Sequence, residues 1–256
     1  MVRPGLALGG VLMIGAGVAV AFGWVWPSTA EATDTVAEQV NSVEIDNASG
    51  DIAITVADVA ETTVRQTFSY RFGKPEDTFS ITEGELYLGD CGWWCSVEYE
   101  VVLPRAAAVT GDLSSGALTL EGVASADVHG SSGDVRVRDV DGPVRVDVSS
   151  GDVELTDIGK EITVDTSSGN IIGRDLRGAV TAEASSGDIT LALTAAGDVR
   201  ADASSGNIEL TVPAGEYRVE GESNAGDRRI EVGRDSAAAH LLRLDTSSGD
   251  VTVKAG

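Results

Sequence analysis

A tetrapeptide, Ser-Ser-Gly-Asp or a near copy of it, recurs along most of this 256-residue chain and constrains what it can fold into. Its glycines are Gly116, Gly133, Gly151, Gly169, Gly187, Gly206, Gly226 and Gly249, spaced 17 to 23 residues apart, with an isolated earlier copy at Gly50. A period near 20 residues marks a solenoid, in which a unit too small to bury its own apolar face stacks on its neighbours. Aligned on the glycine, the second and fourth residues after it are apolar, as in Val153 and Leu155 or Ile208 and Leu210. So are the fifth and seventh before it, as in Val146 and Val144 or Leu244 and Leu242. Alternation with period two is the signature of strands with one buried face. Each unit therefore reads as strand, Ser-Ser-Gly corner, strand and a second turn such as Asp139-Val140-Asp141-Gly142.

A helical repeat is excluded, because the strands are rich in Val and Ile and carry no 3.6-residue stripe. An antiparallel sandwich also has short strands and frequent turns, but it does not require one tetrapeptide at one place every 18 or so residues. The expected fold is all-β: a parallel β-solenoid (a single-stranded β-helix) of ~18-residue rungs. Glycine suits the corner because it lacks a Cβ, and the serines are expected to satisfy the corner's backbone groups or one another across rungs.

The regular pattern breaks between the first copy and Gly111. The stretch 58–110 keeps strand periodicity at Val64–Phe72, Phe79–Leu88 and Ser96–Leu103. It holds eight of the nine aromatics that follow residue 26, so it reads as an N-terminal β cap on the array. Within it lie the two cysteines, Cys91 and Cys95, in Cys-Gly-Trp-Trp-Cys. A structural disulfide is the favoured reading, since a zinc site needs more Cys or His nearby and redox pairs use a shorter spacing. Trp93 and Trp94 have two open roles: packing over the solenoid end, which is favoured, or contact with a partner.

Upstream, residues 5–26 carry no charge and are mostly apolar, long enough to cross a bilayer as one helix. Arg3 precedes them and Glu31, Asp34 and Glu38 follow, so the positive-inside bias leaves residues 1–4 as a short cytoplasmic tail and exports the rest. The expectation is a single-pass protein of the cell membrane. The alternative is a signal segment cleaved near Ala32 and a secreted domain. Residues 27–40 read as a polar linker and 41–256 as the solenoid.

The charge is lopsided, with 41 acidic against 18 basic residues and a formal net charge of −23. Such a surface repels phosphate backbones, which argues against nucleic acid as a partner. The acids form two columns beside the corner. One, just after the glycine, includes Asp134, Asp152 and Asp188; the other, four residues before it, includes Asp147, Asp165 and Asp202. Stacked carboxylates repel, and relief is expected from Arg145, Arg200, Arg218 and Arg243 or from bound cations such as Ca2+. Completion of the turns by short Asp side chains is favoured over calcium. No other cofactor is expected. P-loop, Gly-x-Ser-x-Gly and His-Glu-x-x-His motifs are absent from the sequence.

The segment Val43–Ile54, the strand Ser96–Pro104 and the serial Ser-Ser-Gly-Asp/Asn rungs from 114 to 253 together resemble the bacterial and archaeal putative-adhesin family (DUF4097-like), over about residues 40–256. The resemblance implies a β-solenoid on an anchored or exported envelope protein. It brings no catalytic or ligand residues with it. The function expected is a non-enzymatic surface scaffold or adhesin-like interaction module with a protein or glycan partner at the cell surface. The alternatives are an envelope-stress or regulatory ectodomain working through a membrane partner, and a polysaccharide-acting β-helix enzyme.

Overall fold

A computed structural model describes residues 27–73 and 75–256. The expected anchor at 5–26 lies outside the described residues; among those described, no helix is long and apolar enough to cross a membrane.

The chain folds into two facing sheets of twelve strands each. The first runs in space as β1 (Ser28–Val36), β4 (Thr62–Tyr70), β7 (Cys95–Leu103), β3 (Ile52–Val56), β9 (Leu118–Glu121), β11 (Val135–Val140), β13 (Val153–Ile158), β15 (Ile171–Leu176), β17 (Ile189–Leu193), β19 (Ile208–Val212), β24 (Val251–Ala255) and β21 (Arg228–Ile230). The second, from the cap end, runs as β5 (Phe79–Thr82), β6 (Glu85–Gly89), β2 (Ser42–Asn47), β8 (Ala108–Ser115), β10 (Ser125–Ser132), β12 (Val144–Ser150), β14 (Ile162–Ser168), β16 (Val180–Ser186), β18 (Val199–Ser205), β23 (Leu241–Ser248), β20 (Glu216–Glu220) and β22 (Gly233–Arg234). Each rung gives one strand to each sheet, and the Ser-Ser-Gly corner carries the chain between them. Neighbouring rungs pair in parallel and in register, for example Val144, Val146 and Ser150 with Ile162, Val164 and Ser168. The expected solenoid is therefore a pair of long parallel sheets closed face to face.

The core is the strip between the sheets. The four apolar columns read from the sequence are buried there, with Val153, Leu155, Ile162 and Val164 at 0–1 % exposure. Two further inward columns complete it. One is three residues before the corner glycine, as in Val148, Thr166 and Ala184; the other is seven after, as in Val140, Ile158 and Leu176. The second turn was expected to contain Val140, but that residue ends β11 and points inward. Asp139, Asp157 and Asp175, at φ 55–58°, shift the alternation by one position just before these side chains. Aspartate tolerates this left-handed geometry better than a branched residue does.

The corner glycines are fixed by crowding as well as by torsion. Gly169 has φ +147°, and a Cβ there would meet the carbonyl oxygen of Gly151 at 1.9 Å. The same approach repeats along the stack, glycine upon glycine, so any side chain would have to enter the backbone of the next rung.

Both ends of the stack depart from the pattern expected from the sequence. Residues 28–36, read as linker, form β1, which pairs antiparallel with β4 from Ser28↔Tyr70 to Val36↔Thr62. Its alternating half-buried side chains lie along the cap's edge and extend the sheet. At the other end the rungs do not stack in chain order. Gly249 lies on Gly206, and Gly226 lies on Gly249. The last strands, β23 and β24, thus slot between the rung of β18 and β19 and the layer of β20 and β21. That layer closes the stack with polar groups: Arg228 donates to the carbonyls of Leu244 (2.8 Å) and Glu220 (3.3 Å), and Ser223 Oγ donates to that of Gly249 (2.8 Å).

Candidate functional site: an acidic and hydroxyl ladder beside the corner

The sequence-derived candidates fall on different faces with different roles. The column just after the glycine is structural. Asp134 Oδ1 accepts from the Asp152 N–H at 3.1 Å, Asp152 Oδ1 from the Asn170 N–H at 2.8 Å, Asn170 Oδ1 from the Asp188 N–H at 3.0 Å, and Asp188 Oδ1 from the Asn207 N–H at 2.7 Å. Each side chain thus braces the equivalent residue of the next rung. A hydrogen bond to a charged group contributes roughly 1.5–3 kcal/mol, and one such bond per rung offsets the repulsion between carboxylates one strand apart. The asparagines help further: Asn170 and Asn207 also donate from Nδ2 to Asp152 and Asp188, at 3.1 Å each.

The serines were expected to satisfy the corner. Their side chains instead face solvent, and it is their carbonyls that serve the corner, as when Ser168 O accepts from the Gly151 N–H at 2.9 Å. The bracing belongs to the Asp/Asn column because its side chains lie along the stacking direction.

The column four before the glycine is different. It runs in register as Asp46, Asp112, His129, Asp147, Asp165, Glu183, Asp202 and Asp245 on the outer face of the second sheet. Two residues along each strand, still on the outer face, stands a serine column that includes Ser131, Ser149, Ser167 and Ser185. Adjacent members are one strand spacing apart, roughly 4.8 Å. The result is a flat strip of carboxylates beside a strip of hydroxyls.

Arginines pair with the acids at its C-terminal end, and at the cap end Asp46 meets only an uncharged hydroxyl. Near the C-terminal end, Arg200 approaches Glu183 and Asp202 at 3.7 and 4.0 Å, and Arg243 approaches Asp245 at 3.1 Å. Burial pushes the Asp245 carboxyl up, but the Glu222 N–H, Arg243 and Arg228 outweigh it and hold the group below the usual carboxylate range. At the cap end, Tyr87 donates its hydroxyl to Asp46 at 2.9 Å, and this bond to a carboxylate raises the phenol's pKa. Arg145 points the other way along its column, 3.9 Å from Asp127, and Arg218 pairs with Glu220 at 3.5 Å. Among the described residues no ion pair reaches Asp147 or Asp165. Nor do any three or more His, Cys, Asp or Glu side chains group as they would to hold a metal ion.

The cap supplies the second candidate region. Cys91 and Cys95 are joined in a disulfide, with their Cα atoms 5.6 Å apart. The loop they pin replaces the Ser-Ser-Gly corner of its rung, since Val97 occupies the place of a corner glycine against Gly50. Trp93 and Trp94 were expected to pack over the solenoid end. They are instead 94 % and 64 % exposed. The end is sealed by other aromatics, Phe68 and Tyr99, both fully buried. Tyr99 donates to the Gly89 carbonyl at 2.7 Å and lies 2.5 Å from Thr78 Oγ1. Burial pushes its pKa up to about 12.

A family model, Toastrack DUF4097, matches residues 39–254. The chain belongs to this family. Two solved structures have a similar fold. A protein from Parabacteroides distasonis named a putative adhesin gives a TM-score of 0.54 at 15 % identity, covering 88 % of this chain and 97 % of its own. One from Bacteroides fragilis, named in the same way, gives 0.53 at 15 % identity, covering 89 % and 97 %. No curated protein matches the chain.

Proposed function

We propose that this toastrack protein is a non-enzymatic interaction module of the cell surface, held at the membrane by residues 5–26 and directed outward. Its binding face is the acidic and hydroxyl ladder of the second sheet. The observation that carries this reading is the unneutralised middle of that ladder, Asp147 and Asp165, in register beside the serines. A rigid strip with a fixed strand-spacing repeat matches an extended partner that brings cationic or hydrogen-bonding groups at regular intervals, such as a basic protein segment or a glycan chain. The names of the structurally similar proteins and the cysteine pair, which suits an oxidising compartment, agree with display outside the cytoplasm.

The test is a binding screen with full-length protein in vesicles against purified surface glycans and basic peptides, repeated with Asp147→Asn/Asp165→Asn. Binding that falls at least tenfold in the variant, and weakens with salt as a screened charge contact does, is the expected result. A ligand bound equally by both proteins places the binding face elsewhere.

A further inference from the structure

Among the described residues, the large apolar side chains that stand exposed are Val59, Phe72, Trp93 and Trp94, and the last three share one place. Ten positions separate Gly89 from Tyr99 where six separate their sheet partners Asp46 and Ile52. The disulfide loop is therefore four residues longer than a corner, and the excess projects the two indoles. Beside it, β4 ends at Tyr70, opposite Cys95. Arg71 follows, its backbone N–H donating to the Trp94 carbonyl at 3.2 Å and its guanidinium lying 5.8 Å from the Trp94 ring centre. Phe72, 79 % exposed, comes next.

The same edge receives the chain from its apolar segment. Ser28 pairs with Tyr70, and Tyr70 with Cys95. Ser28 is thus two strand spacings, roughly 10 Å, from the disulfide loop. Only Pro27 stands between Ser28 and the uncharged stretch 5–26, which ends Trp24-Val25-Trp26. If that stretch crosses a bilayer, the tip is held within a few residues of the headgroups. Indoles favour that layer, where the ring is apolar and the N–H stays wet, and an arginine beside them can meet lipid phosphate.

We propose that Phe72, Trp93 and Trp94 form a bilayer-docking tip that seats the cap on the outer surface of the membrane carrying the chain. The occupant is the lipid interface. The inference rests on reading residues 5–26 as the anchor. With the tip docked, the protein is fixed at two points instead of one and takes a set orientation, leaving the ladder free for a partner.

The test uses the full chain with Trp24→Phe and Trp26→Phe, so that Trp93 and Trp94 alone report, in phosphatidylcholine vesicles with and without bromine-labelled acyl chains. Flotation with the vesicles checks the anchor; a chain that does not float overturns both the anchor and the tip. For a chain that floats, docking predicts that shallow bromines cut tryptophan emission about twofold and that aqueous acrylamide quenches it weakly. Emission indifferent to bromine and open to acrylamide overturns the tip and leaves the anchor standing. The variant Trp93→Ser/Trp94→Ser is expected to keep its melting temperature, because these rings make no core. If it instead loses a protein or glycan partner in the screen while the parent shows no bromine quenching, the tip is a partner contact and docking on lipid is overturned.

Discussion

At the scale of single residues, two kinds of side chain hold the corner: one that must be absent and one that must reach. Gly169→Ala places a methyl 1.9 Å from the Gly151 carbonyl oxygen at a φ of +147°. Strain of this kind costs about 1–3 kcal/mol before the clash is added. Equilibrium denaturation is expected to show a loss of roughly 3 kcal/mol or more. A loss under about 1 kcal/mol would mean the rungs can slide apart. Asp152→Ala removes the acceptor for the Asn170 N–H and is expected to cost about 1–3 kcal/mol, whereas Asp152→Asn should recover most of it. Asp245 supplies a pH test. Its folded-state pKa is depressed, so its contribution is complete above the unfolded value of about 3.9 and is lost as pH falls through the lower folded value. The stability gap between wild type and Asp245→Asn should therefore be constant from neutral pH down to about pH 5 and close in more acid solution. A gap that widens with acid would reverse the sign of the shift.

At the scale of elements, strands are interchangeable in the middle of the stack and particular at its ends. Leu155→Ala in β13 removes a fully buried side chain from the strip between the sheets, and about 2–5 kcal/mol is the expected cost. The disulfide loop is expected to matter less. Its short closure gives about 2 kcal/mol in the chain-entropy picture. Reduction should therefore lower the melting temperature slightly while leaving the far-UV spectrum of the sheets unchanged. Loss of sheet signal on reduction would show that the loop organises the cap. The strands of the array were legible because burial on one face imposes strict alternation, and alternation survives in the letters. β1 was not legible. It is an edge strand with half-exposed Thr, Ala, Glu and Asp, and only pairing with β4 makes it a strand. The exposed tryptophans were misplaced for a related reason. Aromatics near a solenoid end read as its seal, and the local sequence does not show that Phe68 and Tyr99 already fill that place.

At the scale of the whole molecule, the order of the rungs departs from the order of the chain. Deleting residues 241–256 looks like trimming the last repeat, yet β23 and β24 are interior layers. Their removal strands β20 and β21 from the stack and exposes the edge at β18 and β19. Hydrogen exchange on such a truncation is expected to show lost protection in residues 216–234 as well as partial loss in β18 and β19. Protection retained in 216–234 would contradict the layer order. The functional proposals belong at this scale too, because the ladder is a property of six or more rungs in register and the docking tip depends on where the first strand leaves the sheet.

The corner repeat is a device for turning the chain, with glycine at the turn and Asp or Asn bracing it. The repeat alone determined the rung, its four apolar columns, the parallel stacking and the need for glycine, since each is local and recurs often enough to be averaged over copies. Only the tertiary structure decided which acids brace the backbone and which remain free for a partner, because that depends on whether a side chain lies along the stacking axis or away from the sheet. It alone also decided how the two ends are closed, by an added edge strand at one and an inserted final rung at the other. End closure satisfies groups that no repeating neighbour covers, and a repeating sequence carries no signal for what happens where the repetition stops.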